Sequence, residues 1–219
     1  MIDYSPFLIS FEVAISTTLV LGVVGIFISY FLAFSKSVWA DIVEPFIMSP
    51  LVLPPTVLGF YIMYIFGLQS PLGRFLNNIG IHLLFNFNGL LLGSIIYSLP
   101  FAVSPVVSGF RSVPKSIIEA SYTLGKSKFY TLLKVIIPNS KYSIISALVL
   151  VFSHTIGEFG VVLMVGGDIP GKTRTASIAI FDYVQELNYK QANITALILF
   201  AIAMSTLIFL QILKRLQER

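Results

Sequence analysis

Residues 116–138 read SIIEASYTLGKSKFYTLLKVIIP, a basic, amphipathic stretch with a glycine near its middle. It stands inside a chain that is otherwise mostly apolar, and that contrast decides the fold. Pro114 disfavours helix in the residue before it, so a helix is expected to begin just after. Ser116 and Glu119 have the S-x-x-E spacing of a capping box, with Ser as N-cap and Glu returning to its amide. Ile117, Ala120 and Leu124 share one face. Gly125 breaks or bends the run, because a tight turn there needs a residue free of Cβ clashes. Beyond it Phe129, Leu132, Leu133 and Ile136 recur at i, i+3, i+4 and i+7, the stripe of a second helix. Pro138 marks the entry into the next apolar run. Periodicity leaves two readings open for this helical pair. Lys126, Lys128 and Lys134 suit a basic helix lying on anionic lipid; the apolar ridge suits a groove in a partner protein.

The surrounding composition is that of an integral membrane protein. Of 219 residues, 56% are hydrophobic and 11% charged, with a mean hydropathy of +0.90. A soluble domain carries about a quarter charged residues. Five apolar runs, at about 10–34, 45–67, 88–110, 139–165 and 192–213, are each long enough to cross a hydrocarbon core of ~30 Å at ~1.5 Å per residue. The first does not read as a cleaved signal peptide: it is long, has Asp3 and Glu12 where a basic region belongs, and lacks an A-x-A-like site. The expected fold is all-α, about five transmembrane helices in one domain. Among the connections, only 111–138 and 166–191 are long enough to be expected to hold structure of their own.

Basic residues divide unevenly between the two sets of loops. Lys36, Arg111, Lys115, Lys126, Lys128, Lys134, Lys141, Lys214, Arg215 and Arg219 fall on one side; Arg74, Lys172, Arg174 and Lys190 fall on the other. The richer set is expected to be cytoplasmic, which puts the N-terminus outside and the C-terminus inside. The net charge of +4 gives no ground for a nucleic-acid partner. The absence of cysteine excludes disulfides and thiolate metal sites.

The 116–138 stretch resembles the EAA loop of permease subunits of type I ABC importers: E-A-A, three residues, Gly, nine residues, then I-x-L-P. Here the matching residues are Glu119, Ala120, Ser121, Gly125 and Pro138, with Val135 and Ile137 as aliphatic replacements and Ser121 as a small-for-small change. Three further strings resemble the oxyanion permeases: SPLVLPPTVLGF at 49–60 with SPLGRFL at 70–76, GEFG at 157–160, and GGDIPGKTRTASIAIFD at 166–182. The last is closer to the molybdate pattern than to the sulfate one. The resemblance spans roughly residues 10–213, the permease domain, with 111–138 as its cytoplasmic coupling loop. It implies a multi-pass subunit of the bacterial cytoplasmic (inner) membrane, importing molybdate. It further implies a second copy of the chain, two ATP-binding subunits that use ATP and Mg, and an extracytoplasmic solute-binding protein. No cofactor and no metal site are implied in this chain, which is not itself an enzyme. Tungstate and sulfate or thiosulfate are the alternative cargoes.

Other residues have a local meaning as well. Pro54 and Pro55 remove amide donors within the second run and are expected to kink it, either as packing or beside a water-filled path. Glu158 is the one acid of the fourth run, with His154 four residues earlier; such groups face the bundle interior or a pathway. A permanent carboxylate repels an oxyanion, so Glu158, with Gly160, is expected at the gate rather than as an anion ligand. Residues 166–173, GGDIPGKT, match the P-loop pattern letter for letter. That pattern cradles phosphate only between a strand and a helix, and here it follows a membrane run. Lys172, Thr173 and Arg174 in that loop are expected to dock the binding protein, pack at the gate or contact the anion. Two other classes predict different chemistry. A secondary transporter needs paired intramembrane charges, which are absent. An intramembrane hydrolase needs a nucleophile beside a base, and Ser153 and His154, adjacent in sequence, point to different sides of a helix.

Overall fold

The computed structural model describes residues 3–217; Arg219 of the basic count lies outside them. The described residues form helices and connections with no strand among them. Helix α1 (Ser5–Phe34) starts with Pro6 in its first turn, where a missing N–H costs nothing. It buries Val13, Ala14, Thr17, Leu21 and Leu32 while Leu19, Val23, Phe27 and Phe31 stay exposed. One stripe therefore faces protein and the rest is apolar, as lipid requires.

The second run is broken rather than kinked. Helix α2 (Val38–Met48), with the 3-10 turn Ser49–Leu51 at its end, and α3 (Pro55–Phe66) are bent by 115° across the break. Pro54 and Pro55 sit at this break, and two consecutive residues without amides cannot continue the hydrogen-bond ladder. A short helix, α4 (Pro71–Asn78), follows, capped by Ser70 through Gly73 N–H at 2.8 Å. The expectation that this connection holds no structure is corrected: Ser-Pro-Leu-Gly supplies an N-cap and a proline at N1, enough for two turns.

Helix α5 (Phe87–Ser112) is the central post. The hairpin after it comprises α6 (Lys115–Thr123), α7 (Lys128–Thr131), a π-helical turn at Leu132–Ile136 and α8 (Ile137–Asn139). Helix α9 (Lys141–Ile156) leaves it at 77°. The bend lies at Ser140, two residues beyond Pro138, which is itself inside the last turn.

The fourth run is not continuous across 139–165. It stops at Ile156, and α10 (Gly160–Gly166) resumes after the non-helical residues Gly157, Glu158 and Phe159. Helix α11 (Ala176–Gln185) lies within the 166–191 connection, and α12 (Tyr189–Gln217) closes the chain. Among the described residues three helices are long and apolar enough to cross a membrane, Ser5–Phe34, Phe87–Ser112 and Tyr189–Ile212, and up to five spans result if each bent pair counts as one. The chain is an all-α integral membrane protein.

The core runs along α5. At one end Val106, Phe110 and Val113 pack with Ile118, Leu132 and Ile136 of the hairpin; near the other, Leu90 packs with Ile9, Val13, Val162 and Ile178. Ser29 of α1 donates to the Val103 carbonyl at 3.3 Å. Lipid tails are as apolar as leucine, so close packing and such polar links, not exclusion of water, hold these helices together.

Candidate functional site

The 115–139 hairpin has two faces. Ile118 and Ser121 of α6, with Leu132 and Ile136 beyond the turn, are buried against the end of α5. Ile117, Leu124, Phe129, Tyr130 and Leu133 are exposed, as is Ala120. The expected stripe of Phe129, Leu132, Leu133 and Ile136 is therefore split between the two faces. The π-helical turn widens the spacing there, and such bulges cluster at functional places.

The turn between the two helices is closed by the backbone. Gly125 has φ +72, its N–H donates to the Tyr122 carbonyl at 2.9 Å, and Lys126 N–H donates to the Ser121 carbonyl at 3.1 Å. These are the paired bonds of a Schellman motif, with Gly125 as the left-handed residue after the C-cap. Ser127 caps α7 by accepting from Tyr130 N–H at 3.2 Å. The Ser121 and Thr131 hydroxyls hydrogen bond at 2.9 Å inside the hairpin, a cross-link absent from the sequence reading. The capping box expected at Ser116 and Glu119 does not form. Helix α6 starts two residues earlier than that cap requires, at Lys115, with Pro114 in the N-cap position and no side-chain cap. Pro114 fixes the entry geometry alone, leaving Glu119 exposed. Pro138 is exposed at the end of the hairpin.

At the far end of the bundle, the two breaks meet. Pro55 of α3 lies against Gly160 of α10, where an added Cβ would come within 2.7 Å of Pro55 Cβ. A cleft of about 550 Å³ opens beside them, lined by Pro55, Thr56, Tyr97, His154, Gly157 and Glu158 among others. Glu158 is 5% exposed. Its Oε2 accepts from Ser94 Oγ at 2.9 Å, while Oε1 has no hydrogen-bond partner among the described residues. The Glu158 carbonyl accepts from Ser177 of α11. His154 Nδ1 shares a hydrogen bond with Ser98 Oγ at 2.9 Å, and its ring stacks on Phe101 at 4.1 Å. Ser153 instead bonds Thr206 Oγ1 of α12 at 2.7 Å. The two side chains diverge, as helix geometry requires. Among the described residues no group of three or more His, Asp or Glu is placed to hold a metal. Ser94 and Ser98 went unremarked in the sequence, although small polar residues four apart in an apolar helix share a face and mark helix contacts.

The 166–175 loop is tied up within itself. Thr173 is fully buried and its hydroxyl accepts from Ile169 N–H at 3.1 Å. Arg174 grips Asp168 in a bidentate pair at 2.5 and 2.9 Å and reaches Asp182 of α11 at 3.0 Å, an ion pair without hydrogen-bond alignment. Of the three residues considered for anion contact, only Lys172 is exposed. No strand precedes the P-loop-like letters, which follow α10.

Partial burial pushes the Asp182 carboxyl up to about 6, with Asp168 beside it acting in the same direction. Burial also opposes charge on Asp168, but the hydrogen bonds from Arg174 and its positive charge outweigh it and hold that carboxyl below its ordinary value. Asp182 therefore contributes stability that is complete below the ordinary aspartate range and is lost as pH rises through about 6. The Asp168 contribution is present above that range and fades as pH falls through its depressed value. Asp182→Asn is expected to flatten the pH dependence of loop protection between about 4 and 6, measured by hydrogen exchange over residues 166–191. A retained slope would place the titration elsewhere.

A model of the family described as "Binding-protein-dependent transport system inner membrane component" matches residues 25–219. The molybdenum transport system permease protein ModB of Azotobacter vinelandii is 41% identical over 192 residues, covering 87% of this chain and 85% of its own. A probable sulfate transport system permease protein, cysT, of Chlorella vulgaris is 28% identical over 209 residues, covering 95% and 79%. In fold, the chain is similar to a chain of an amino acid ABC transporter solved with histidines, at a TM-score of 0.66 and 18% identity over 96% of this chain and 92% of that one. The matched length, the broken apolar helices and the two-faced hairpin agree, and the chain belongs to the family of multi-pass inner-membrane permease components of binding-protein-dependent ABC transport systems.

Proposed function

We propose that this permease carries molybdate into the cell, driven by a separate ATPase that docks on the 115–139 hairpin. The observation that carries the coupling half of this reading is the hairpin's division of labour. Its inner face is bolted to α5, while its outer face presents Ile117, Leu124, Phe129 and Leu133 around a glycine turn. An apolar ridge of this kind on a short helix suits a groove, and the rigid attachment passes any displacement of the ridge into α5. The ModB identity supports molybdate as cargo; the lower identity to sulfate permeases keeps sulfate as the second reading.

In this reading the hairpin is cytoplasmic, the N-terminus is outside and the C-terminus inside. Two copies of the chain enclose the path, two ATP-binding subunits hold ATP and Mg²⁺, and a solute-binding protein delivers the anion to the outer face. ATP closure draws the two hairpins together and the spans rock as a two-state body; hydrolysis resets them. No covalent chemistry occurs in this chain, which holds no cofactor of its own. With Arg174 engaged by two carboxylates, the 166–175 loop serves packing and docking rather than anion capture, with Lys172 its exposed cation toward a partner surface.

The test is reconstitution in liposomes with the partner ATPase and binding protein. Labelled molybdate is expected to accumulate only with ATP and binding protein present, and about hundredfold excess sulfate should reduce uptake by less than about half. Uptake without ATP, or full competition by sulfate, would overturn the respective half of the proposal.

A further inference from the structure

The transport reading leaves unexplained why a carboxylate is buried where two interrupted helices meet. Glu158 has no Lys or Arg within ion-pair distance among the described residues. It is therefore not there to neutralise a cation, and a carboxylate facing an oxyanion path would repel the cargo. What it does make is structural and comes from three directions. Its side chain takes a hydrogen bond from Ser94 on α5, its carbonyl takes one from Ser177 on α11, and its own N–H donates to Thr155 at the end of α9 at 3.2 Å.

The next segment is locked just as tightly to another helix. Gly160 abuts Pro55, and Gly59 lies against Met164 and Val161, so α3 and α10 are closely fitted along their length. Each is preceded by a break, at 52–54 and at 157–159, so each is free of the helix before it. Non-helical backbone at membrane depth persists only when buried in protein or beside a water-filled space, and the 550 Å³ cleft adjoins both breaks.

From this geometry, and resting on the transport reading above, we propose that Glu158 is a positioning residue, the hinge pin that keeps α3 and α10 in register on α5 as they swing together to open and close the cleft. The pin needs a hydrogen-bonding head of this shape and not a charge. Glutamine should therefore replace it and alanine should not. Loss of the pin leaves the cleft at a fixed average opening, which slows turnover without changing delivery of the anion by the binding protein.

The chain has no cysteine, so a single introduced thiol reports on the cleft. Gly157→Cys is suited to this, since an added Cβ there meets nothing within 4 Å. The assembled transporter, with ATPase and binding protein, is labelled by a membrane-impermeant thiol reagent without nucleotide and after trapping with ATP and vanadate. We expect labelling to quicken by about tenfold on trapping. In the Glu158→Ala background the change should shrink below about twofold, and Glu158→Gln should restore it. The turnover number for uptake should fall about tenfold in Glu158→Ala with KM within about twofold, and again recover in Glu158→Gln. Ser94→Ala, which removes only the partner hydroxyl, should mimic Glu158→Ala in the labelling readout. Full switching in Glu158→Ala, or a Glu158→Gln variant as impaired as alanine, would overturn the proposal. Ser116→Cys, a near-isosteric change at an exposed position beside the ridge, separates this from failure of the transport reading. If the ATPase protects that thiol while Gly157→Cys reactivity does not switch, the hinge pin fails and the transporter stands. If Ser116→Cys is unprotected and the unaltered chain shows no uptake, the transport reading fails and the pin with it.

Discussion

Gly125→Pro is expected to abolish ATP-driven uptake, by about tenfold or more, while the protein still inserts into the membrane. Three faults coincide at this one position. Proline fixes φ near −65°, whereas Gly125 sits at +72. The N–H that bonds to the Tyr122 carbonyl at 2.9 Å is lost. The preceding Leu124, at φ −77 and ψ 11, lies in the region that a following proline disfavours. Together these cost about 3 kcal/mol or more, enough to open the turn and misplace the exposed ridge against its ATPase, but they touch no residue of the spans. ATP hydrolysis should continue without transport. Gly125→Asn, which tolerates the left-handed region, should keep most uptake, and Gly125→Ala should fall between. Membrane yield, ATPase rate and uptake measured on the same vesicles decide it; normal uptake in the proline variant would refute the coupling role.

The second large effect is expected at Gly109, and it is one of assembly. The α5 and α9 helices touch there so closely that a Cβ at Gly109 would overlap the Ser143 side chain. Its carbonyl also accepts hydrogen bonds from Ser112 Oγ at 2.7 Å and Ser140 Oγ at 3.1 Å. Gly109→Val forces the helices apart at the root of the hairpin, where Phe110, Leu132 and Ile136 are packed. Overpacking of this kind costs about 1–3 kcal/mol. Loss of the Ser140 bond would add to that cost. A lowered melting temperature in detergent, together with reduced capture of the ATPase, is the expected result. Enlarging Ser143 to Val should reproduce it from the other side of the contact.

The hairpin was largely legible in the sequence because its chemistry is local. A glycine between two amphipathic stripes, with Pro114 before and Pro138 after, dictates helix, turn and helix. The capping box failed because Pro114 already sets the entry to α6, and the stripe after Gly125 was misassigned because a π-helical turn changes the spacing by one residue. The cleft was less legible. Pro54 and Pro55 signalled a disturbance but not a 115° break, and nothing near Glu158 announced that the fourth run would stop at Ile156. The partner of the Glu158 carboxyl lies on α5 and that of its backbone carbonyl on α11, both distant in the chain. At Thr173 and Arg174 the nearby Asp168 and Asp182 read from the sequence as a general balance of loop charge; only the fold closes both carboxylates on the same arginine.

The sequence by itself determined that this chain lives in a membrane as a set of apolar helices with one charged hairpin. Run length, hydropathy and a glycine's freedom at positive φ are properties of neighbouring residues. Only the tertiary structure decided where the spans break, which hairpin face is left exposed, and what holds Glu158. Those outcomes depend on which distant helix offers a hydroxyl, a close glycine contact or a competing carboxylate, and no local pattern encodes that pairing.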